Sequence, residues 1–172
     1  MKKLALTDFA KYRYPSALEL SPDGRYLTFA LKEVDREGDG YRWNLWLYDL
    51  ESRESRQITQ GDDQRKAVWE DNTHILYKTT EPDEAMRARG FEEEWTVYHR
   101  LNVCTGEERE AFRLPMSVSG LWKMDEGRYV FTGETHLDRP NLLELTGEAL
   151  EKELVRRQQT KGYKVLTELP LS

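Results

Sequence analysis

The 172-residue chain has little cysteine, little proline and little apolar residue, and it has no excess of positive charge. A single cysteine, Cys104, excludes an internal disulfide framework and reads as a small structural residue with no redox role. Hydrophobic residues make up 38% of the chain against 34% charged, so the core is thin for this length, and five tryptophans and nine tyrosines carry much of what there is. With a net charge of −6, the interspersed lysines and arginines assemble no phosphate-binding stripe, which argues against nucleic acid as a partner. The first apolar stretch, Leu4-Ala5-Leu6, is cut short by Asp8, so the reading predicts neither a signal peptide nor a membrane anchor and places the chain in the cytoplasm. Nucleophile elbows are missing too: none of Ser16, Ser21, Ser52, Ser55, Ser117, Ser119 or Ser172 has glycine two residues away on both sides.

What is present is a repeat. Ser21-Pro22-Asp23-Gly24-Arg25 lies between Ala17-Leu18-Glu19-Leu20 and Tyr26-Leu27-Thr28-Phe29-Ala30, two stretches whose period of two suits half-buried strands. Proline pre-sets φ for the turn, and glycine closes it without steric cost. The turn is echoed at Asp71-Asn72 and at Glu126-Gly127, each followed by an apolar run, Ile75-Leu76-Tyr77 and Tyr129-Val130-Phe131. A further strand recurs as Asn44–Leu50, Val97–Val103 and Asn141–Leu145, and closing strands are expected at Ser55–Thr59 and Arg109–Leu114. Four short antiparallel strands per unit is the make-up of a propeller blade.

The expected fold is therefore all-β: a partial β-propeller of about three four-stranded blades, with a short N-terminal helix over Leu4–Tyr14 and a helical insertion near the C-terminus. The boundaries are residues 1–15 for the N-terminal segment, 16–60 for the first blade, 61–115 for the second with a charged loop over 80–95, and 116–172 for the third with the helix at 147–160. Leu150 and Leu154 mark one face of that helix, and its many charges place it on the surface.

Several patterns invite sharper chemistry. Asp35 to Gly40 begins like an EF-hand loop, but position twelve falls on Trp46, where a bidentate glutamate is required, so a polar hairpin loop is the better reading. His74, His99 and His136 have no ligand spacing between them. No cofactor, metal site or catalytic residue is assigned.

Taken in order, Leu20–Arg25 with Phe29, Tyr41–Asp49, Thr96-Val97-Tyr98, Asp138–Leu142 and Tyr163–Pro170 resemble the N-terminal half of the propeller in the prolyl oligopeptidase family, in its acylaminoacyl-peptidase-like and dipeptidyl-aminopeptidase-like branch. The resemblance covers nearly all of this chain and the opening third or less of a family member. It implies a non-catalytic propeller part of a serine peptidase, which in the intact architecture gates oligopeptide access to a Ser-Asp-His hydrolase domain absent from this chain. Partners implied are that hydrolase domain or the remaining blades, in cis or in trans, together with oligopeptide substrate. In this setting Arg87 and Arg89, on the charged excursion Glu81–Glu94, are candidates to engage a peptide carboxylate, and a solvated hairpin is the competing reading. The alternatives are a TolB-like propeller acting as a binding module, and a truncated product without function. Open blade edges predict marginal stability or self-association.

Overall fold

The computed structural model describes residues 11–35, 40–61, 63–125, 127–134 and 139–160. Ten strands form three antiparallel sheets, each joining consecutive strands in sequence order. The first sheet holds β1 (Tyr14–Leu20), β2 (Tyr26–Asp35), β3 (Gly40–Asp49) and β4 (Glu54–Gln57). The second holds β5 (Ala67–Trp69), β6 (His74–Pro82), β7 (Glu94–Asn102) and β8 (Glu108–Leu114). The third pairs β9 (Ser117–Asp125) with β10 (Arg128–Glu134). Two helices, α1 (Glu84–Ala88) and α2 (Gly147–Thr160), and a 3-10 turn at Leu142–Glu144 complete the described elements. Among the described residues no helix is long and apolar enough to cross a membrane.

The turns form for the reasons their residues suggest. Gly24 adopts φ +74° and donates its N–H to Ser21 O at 2.9 Å, while the Ser21 hydroxyl donates to Asp23 Oδ1 at 2.7 Å and accepts from Tyr26 N at 2.8 Å. In the second sheet Asp71 takes the corresponding part, accepting the N–H groups of Thr73 and His74, each at 2.7 Å. Burial alone would raise the Asp71 carboxyl, but those N–H groups and the two side chains outweigh it and hold the pKa down at about 2. In β1, Ala17 takes φ +50° where the register slips between Ser16 and Glu19, a bulge that bends this edge strand.

Side-chain alternation sends each sheet's two faces to different neighbours. Ala30, Leu45 and Leu47 of the first sheet pack against Ala67, Trp69, Ile75, Tyr77, Leu101 and Val103 of the second. The other face of the second sheet, with Leu76, Tyr98, Val68 and Phe112, packs against Val118, Leu121 and Tyr129 of the third. Trp69 Nε1 donates to Glu19 O at 3.1 Å across the first junction, and Thr96 Oγ1 donates to Met116 O at 2.7 Å across the second.

Four expectations change. Asn141–Leu145 is not a strand: Asn141 caps the 3-10 turn by accepting the Leu143 N–H at 3.0 Å, and Leu142 is fully buried against Met86, Phe91 and Leu154. The third sheet therefore has two strands among the described residues, short of four. The charged loop expected over 80–95 is the end of a hairpin, because β6 runs to Pro82, β7 starts at Glu94, and the five-residue α1 lies between them. Tyr14 of the expected N-terminal helix already belongs to β1, and Leu4 to Ala10 lie outside the described residues, as do Arg36–Asp39, Glu126, His136, Asp138 and Tyr163–Pro170. The helix expected over Gly147–Gln159 is present as α2, but its Leu154 is buried at 2% exposure, so one stripe of this charged helix serves a small core.

Candidate interaction surfaces

The charged excursion and α2 form one structure. Asp83 caps α1 by accepting the Met86 N–H at 2.9 Å and also accepts Trp95 Nε1–H at 2.9 Å; the Trp95 bond, followed by the Met86 bond, lowers its pKa. Gly90 at φ +79° turns the chain back toward β7. Met86 and Phe91 then meet Leu142 and Leu154 in a satellite core. Around it, Arg89 makes a bidentate pair with Glu151 at 2.9 and 2.6 Å, and Arg157 reaches Glu93 at 2.9 Å and Pro140 O at 2.6 Å. Arg156 first, with Arg157, holds Glu153 down at about 2.

The two candidate arginines are thus differently placed. Arg89 is committed to Glu151. Arg87 stays at the surface, 68% exposed, with Glu84 at 3.7 Å. A cleft of about 280 Å³ beside this tip is lined by Glu92, Glu93, Glu94, Glu134, Arg139 and Arg157.

A larger polar cleft, about 570 Å³, opens between the second and third sheets. Its floor is Glu70, 8% exposed, which accepts from both Arg100 Nε and Nη2 and from the Tyr129 hydroxyl, while Lys123 Nζ donates to its backbone carbonyl. Burial raises the Glu70 carboxyl less than Arg100 and Tyr129 lower it, and burial followed by the Glu70 bond pushes the Tyr129 hydroxyl up to about 12. These groups satisfy one another, so the network ties the sheets together and presents no activated nucleophile. His74 and His99 are likewise engaged, His74 with Asp71 and Asn102, His99 with Thr79 at 2.9 Å and stacked on Tyr77 at 5.3 Å. Among the described residues no three His, Cys, Asp or Glu side chains gather to hold a metal ion.

The sequence reading expected open edges at the ends of the row of sheets without naming the residues that form them. On the first sheet, the face turned away from the second carries Leu20, Leu27, Phe29, Trp46 and Tyr48, with Phe29 and Trp46 stacked at 6.5 Å. Leu18 and Leu20 on its inner edge are 59% and 54% exposed. Trp46 Nε1 is buried without a hydrogen-bond partner among the described residues. On the third sheet, Trp122, Met124 and Val130 are 47%, 65% and 49% exposed.

Consecutive four-stranded sheets that stack face to face through shared apolar layers, inner strand beside inner strand, have known counterparts. The chain superposes on the β-propeller domain of the Trilobed protease from Pyrococcus furiosus, a domain of open velcro topology, with a TM-score of 0.52 and 14% identity. The fold is that of a β-propeller segment. The sheets are accordingly its blades. A second match is Pyrococcus horikoshii acylaminoacyl peptidase, with a TM-score of 0.57 and 12% identity. These alignments cover 72% and 77% of this chain but 34% and 19% of the two solved chains, so the chain spans a minor part of either. No family model and no curated protein matches the sequence.

Proposed function

We propose that the chain is the non-catalytic opening part of the propeller of a serine-type oligopeptidase, and that its role is to restrict which peptides reach a hydrolase domain carried elsewhere. The observation that supports this reading most is the combination of blade architecture with a likeness to two peptidase structures across about three quarters of the chain. The ordered motifs Ser21-Pro22-Asp23-Gly24 and Asn44–Asp49 support it independently. In this role selection comes from exclusion: blades joined by the Glu70–Arg100–Tyr129 network narrow the approach, and Arg87 at the tip of the second blade offers an exposed cation, weakly held by Glu84, to a peptide carboxylate. A second reading, a propeller that binds other chains and does no chemistry, is favoured by the exposed apolar faces of the end blades.

The test is to purify, from its source, the polypeptide carrying this sequence, with anything bound to it at one-to-one ratio, and treat it with a biotinylated fluorophosphonate. A labelled serine outside residues 1–172, in the same polypeptide or its stoichiometric partner, is expected. A stoichiometric preparation with no labelled serine would overturn the peptidase reading and leave the binding-module reading standing.

A further inference from the structure

The helix α2 follows the third blade in sequence but is seated on the second. Its Leu154 meets Met86 and Phe91 of the excursion and Leu142 of the 3-10 turn, and among the described residues none from α2 joins either apolar layer between blades. The attachment has three parts. An anchor lies ahead of the helix: Leu142 is fully buried, and Asn141 Nδ2 donates to Pro115 O while its Oδ1 accepts the Leu143 N–H at 3.0 Å. A turn follows, where Gly147 takes φ +57° in open space. The latch is α2 itself, held through Leu154 and the ion pairs Arg89–Glu151 and Arg157–Glu93.

Anchor and latch differ in strength. Asn141 and Leu142 are fixed inside the protein, whereas the apolar part of the latch is one buried leucine with Leu150 half-buried beside it, and Arg89 and Glu151 are 38% and 61% exposed. An exposed pair of this kind contributes little and is screened by salt. A 14-residue helix is marginal in water by itself, so α2 detached from the excursion loses its helical hydrogen bonds as well. Detachment also takes Arg157 away from Glu93, and both side chains stand in the wall of the cleft of about 280 Å³ beside the tip of the second blade.

We propose that α2 is a strap that opens: it lifts from the excursion at Gly147 with the blades intact and the anchor in place, and in lifting it widens the cleft that Arg157 and Glu93 close. Segments with few buried apolar contacts and exposed polar ones open at lower free energy than the core, and moving elements are drawn from them. Any ligand that enters the cleft only when Arg157 has left Glu93 would shift the strap toward its open state. This inference concerns the chain's own motion and does not depend on the peptidase reading.

The experiment is amide hydrogen exchange, read by mass spectrometry, on the polypeptide carrying this sequence and on its Leu154→Ala and Arg89→Ala variants. In the wild type, residues 148–157 are expected to be at least about 10-fold less protected than β6 and β7. Leu154→Ala, which empties a buried site, speeds their exchange about 30-fold or more and leaves β6, β7 and β9 within about twofold. Arg89→Ala speeds it about two- to fivefold, and so does raising the salt from about 0.05 to 0.5 M. A second readout follows the cleft: carbodiimide coupling of glycine ethyl ester to Glu93, 25% exposed beside Arg157, rises in Leu154→Ala. Strap amides as protected as the blades, blade strands that loosen together with α2 in Leu154→Ala, or a Glu93 reactivity indifferent to that variant each overturns the proposal.

Discussion

The second blade and the first blade have the same strand order and nearly the same register, yet among the described residues the second has a neighbouring sheet on both faces and the first on one. Ile75 and Leu76 point to opposite sides of β6 and both are fully buried, whereas Leu27 and Thr28, in the matching places on β2, are half-buried and fully buried respectively. Burial in this architecture is a property of a residue's neighbours in the row as much as of its own strand. A blade sequence is complete without being saturated.

That contrast can be broken most directly in the middle blade. Ile75→Ala and Leu76→Ala each empty a packed junction and are expected to destabilise by about 3 kcal/mol in urea unfolding, while Phe29→Ala on the exposed face costs about 1 kcal/mol. Equal losses at the three positions would erase the distinction between the blades. Next in size, Arg100→Ala leaves the Glu70 carboxylate facing Tyr129 without its cation; with the arginine partly exposed, a loss of about 2 kcal/mol is expected by thermal melting, and Glu70→Gln combined with it recovers part of that loss.

A smaller effect concerns pH. The folded pKa of Asp71 is depressed to about 2, so its contribution is fully present above the ordinary carboxylate range and is lost as pH falls from about 4 toward 2. Because this side chain is more than half exposed, the contribution is about 1 kcal/mol after solvent screening, and Asp71→Asn should flatten that part of a stability profile measured from pH 2 to 6. Smallest of all, Arg87→Ala should leave the stability measured by thermal melting unchanged within about 0.5 kcal/mol, since its one close acid lies at 3.7 Å in solvent. Arg89→Ala should lower it slightly more, through release of Glu151.

The parts of the fold legible in the sequence were those written locally. Asp23-Gly24 and Asp71-Asn72 fix turns within a few residues, and the period of two in Tyr26–Ala30 and Ile75–Tyr77 fixes strands beside them. Asn141–Leu145 misled because an Asn-Leu pair stands both within strand β3, at Asn44-Leu45, and at the start of a capped 3-10 turn; what decides between them is Leu142 filling a pocket made by Met86, Phe91 and Leu154 from other segments. The excursion read as a solvated loop for the same reason, since Arg89 and Glu151 are 62 residues apart and no local pattern announces their pairing. Of the candidate surfaces, Arg87 and Arg89 could be named but not told apart, and open blade edges could be expected, but the residues of the apolar end faces could be named only once it was clear which side of each blade a neighbour covers.

The strand order has a consequence for synthesis. Every sheet pairs only strands that follow one another, so the first blade can close as soon as residue 57 has emerged, long before the second is finished at residue 114. At about 5–20 residues per second, that leaves Ala30, Leu45 and Leu47 uncovered for about 3–10 seconds on the ribosome. Such local pairing lowers contact order and speeds each blade's own folding, so the vulnerable interval is set by the translation rate, and a slow codon run between the two blades would lengthen it.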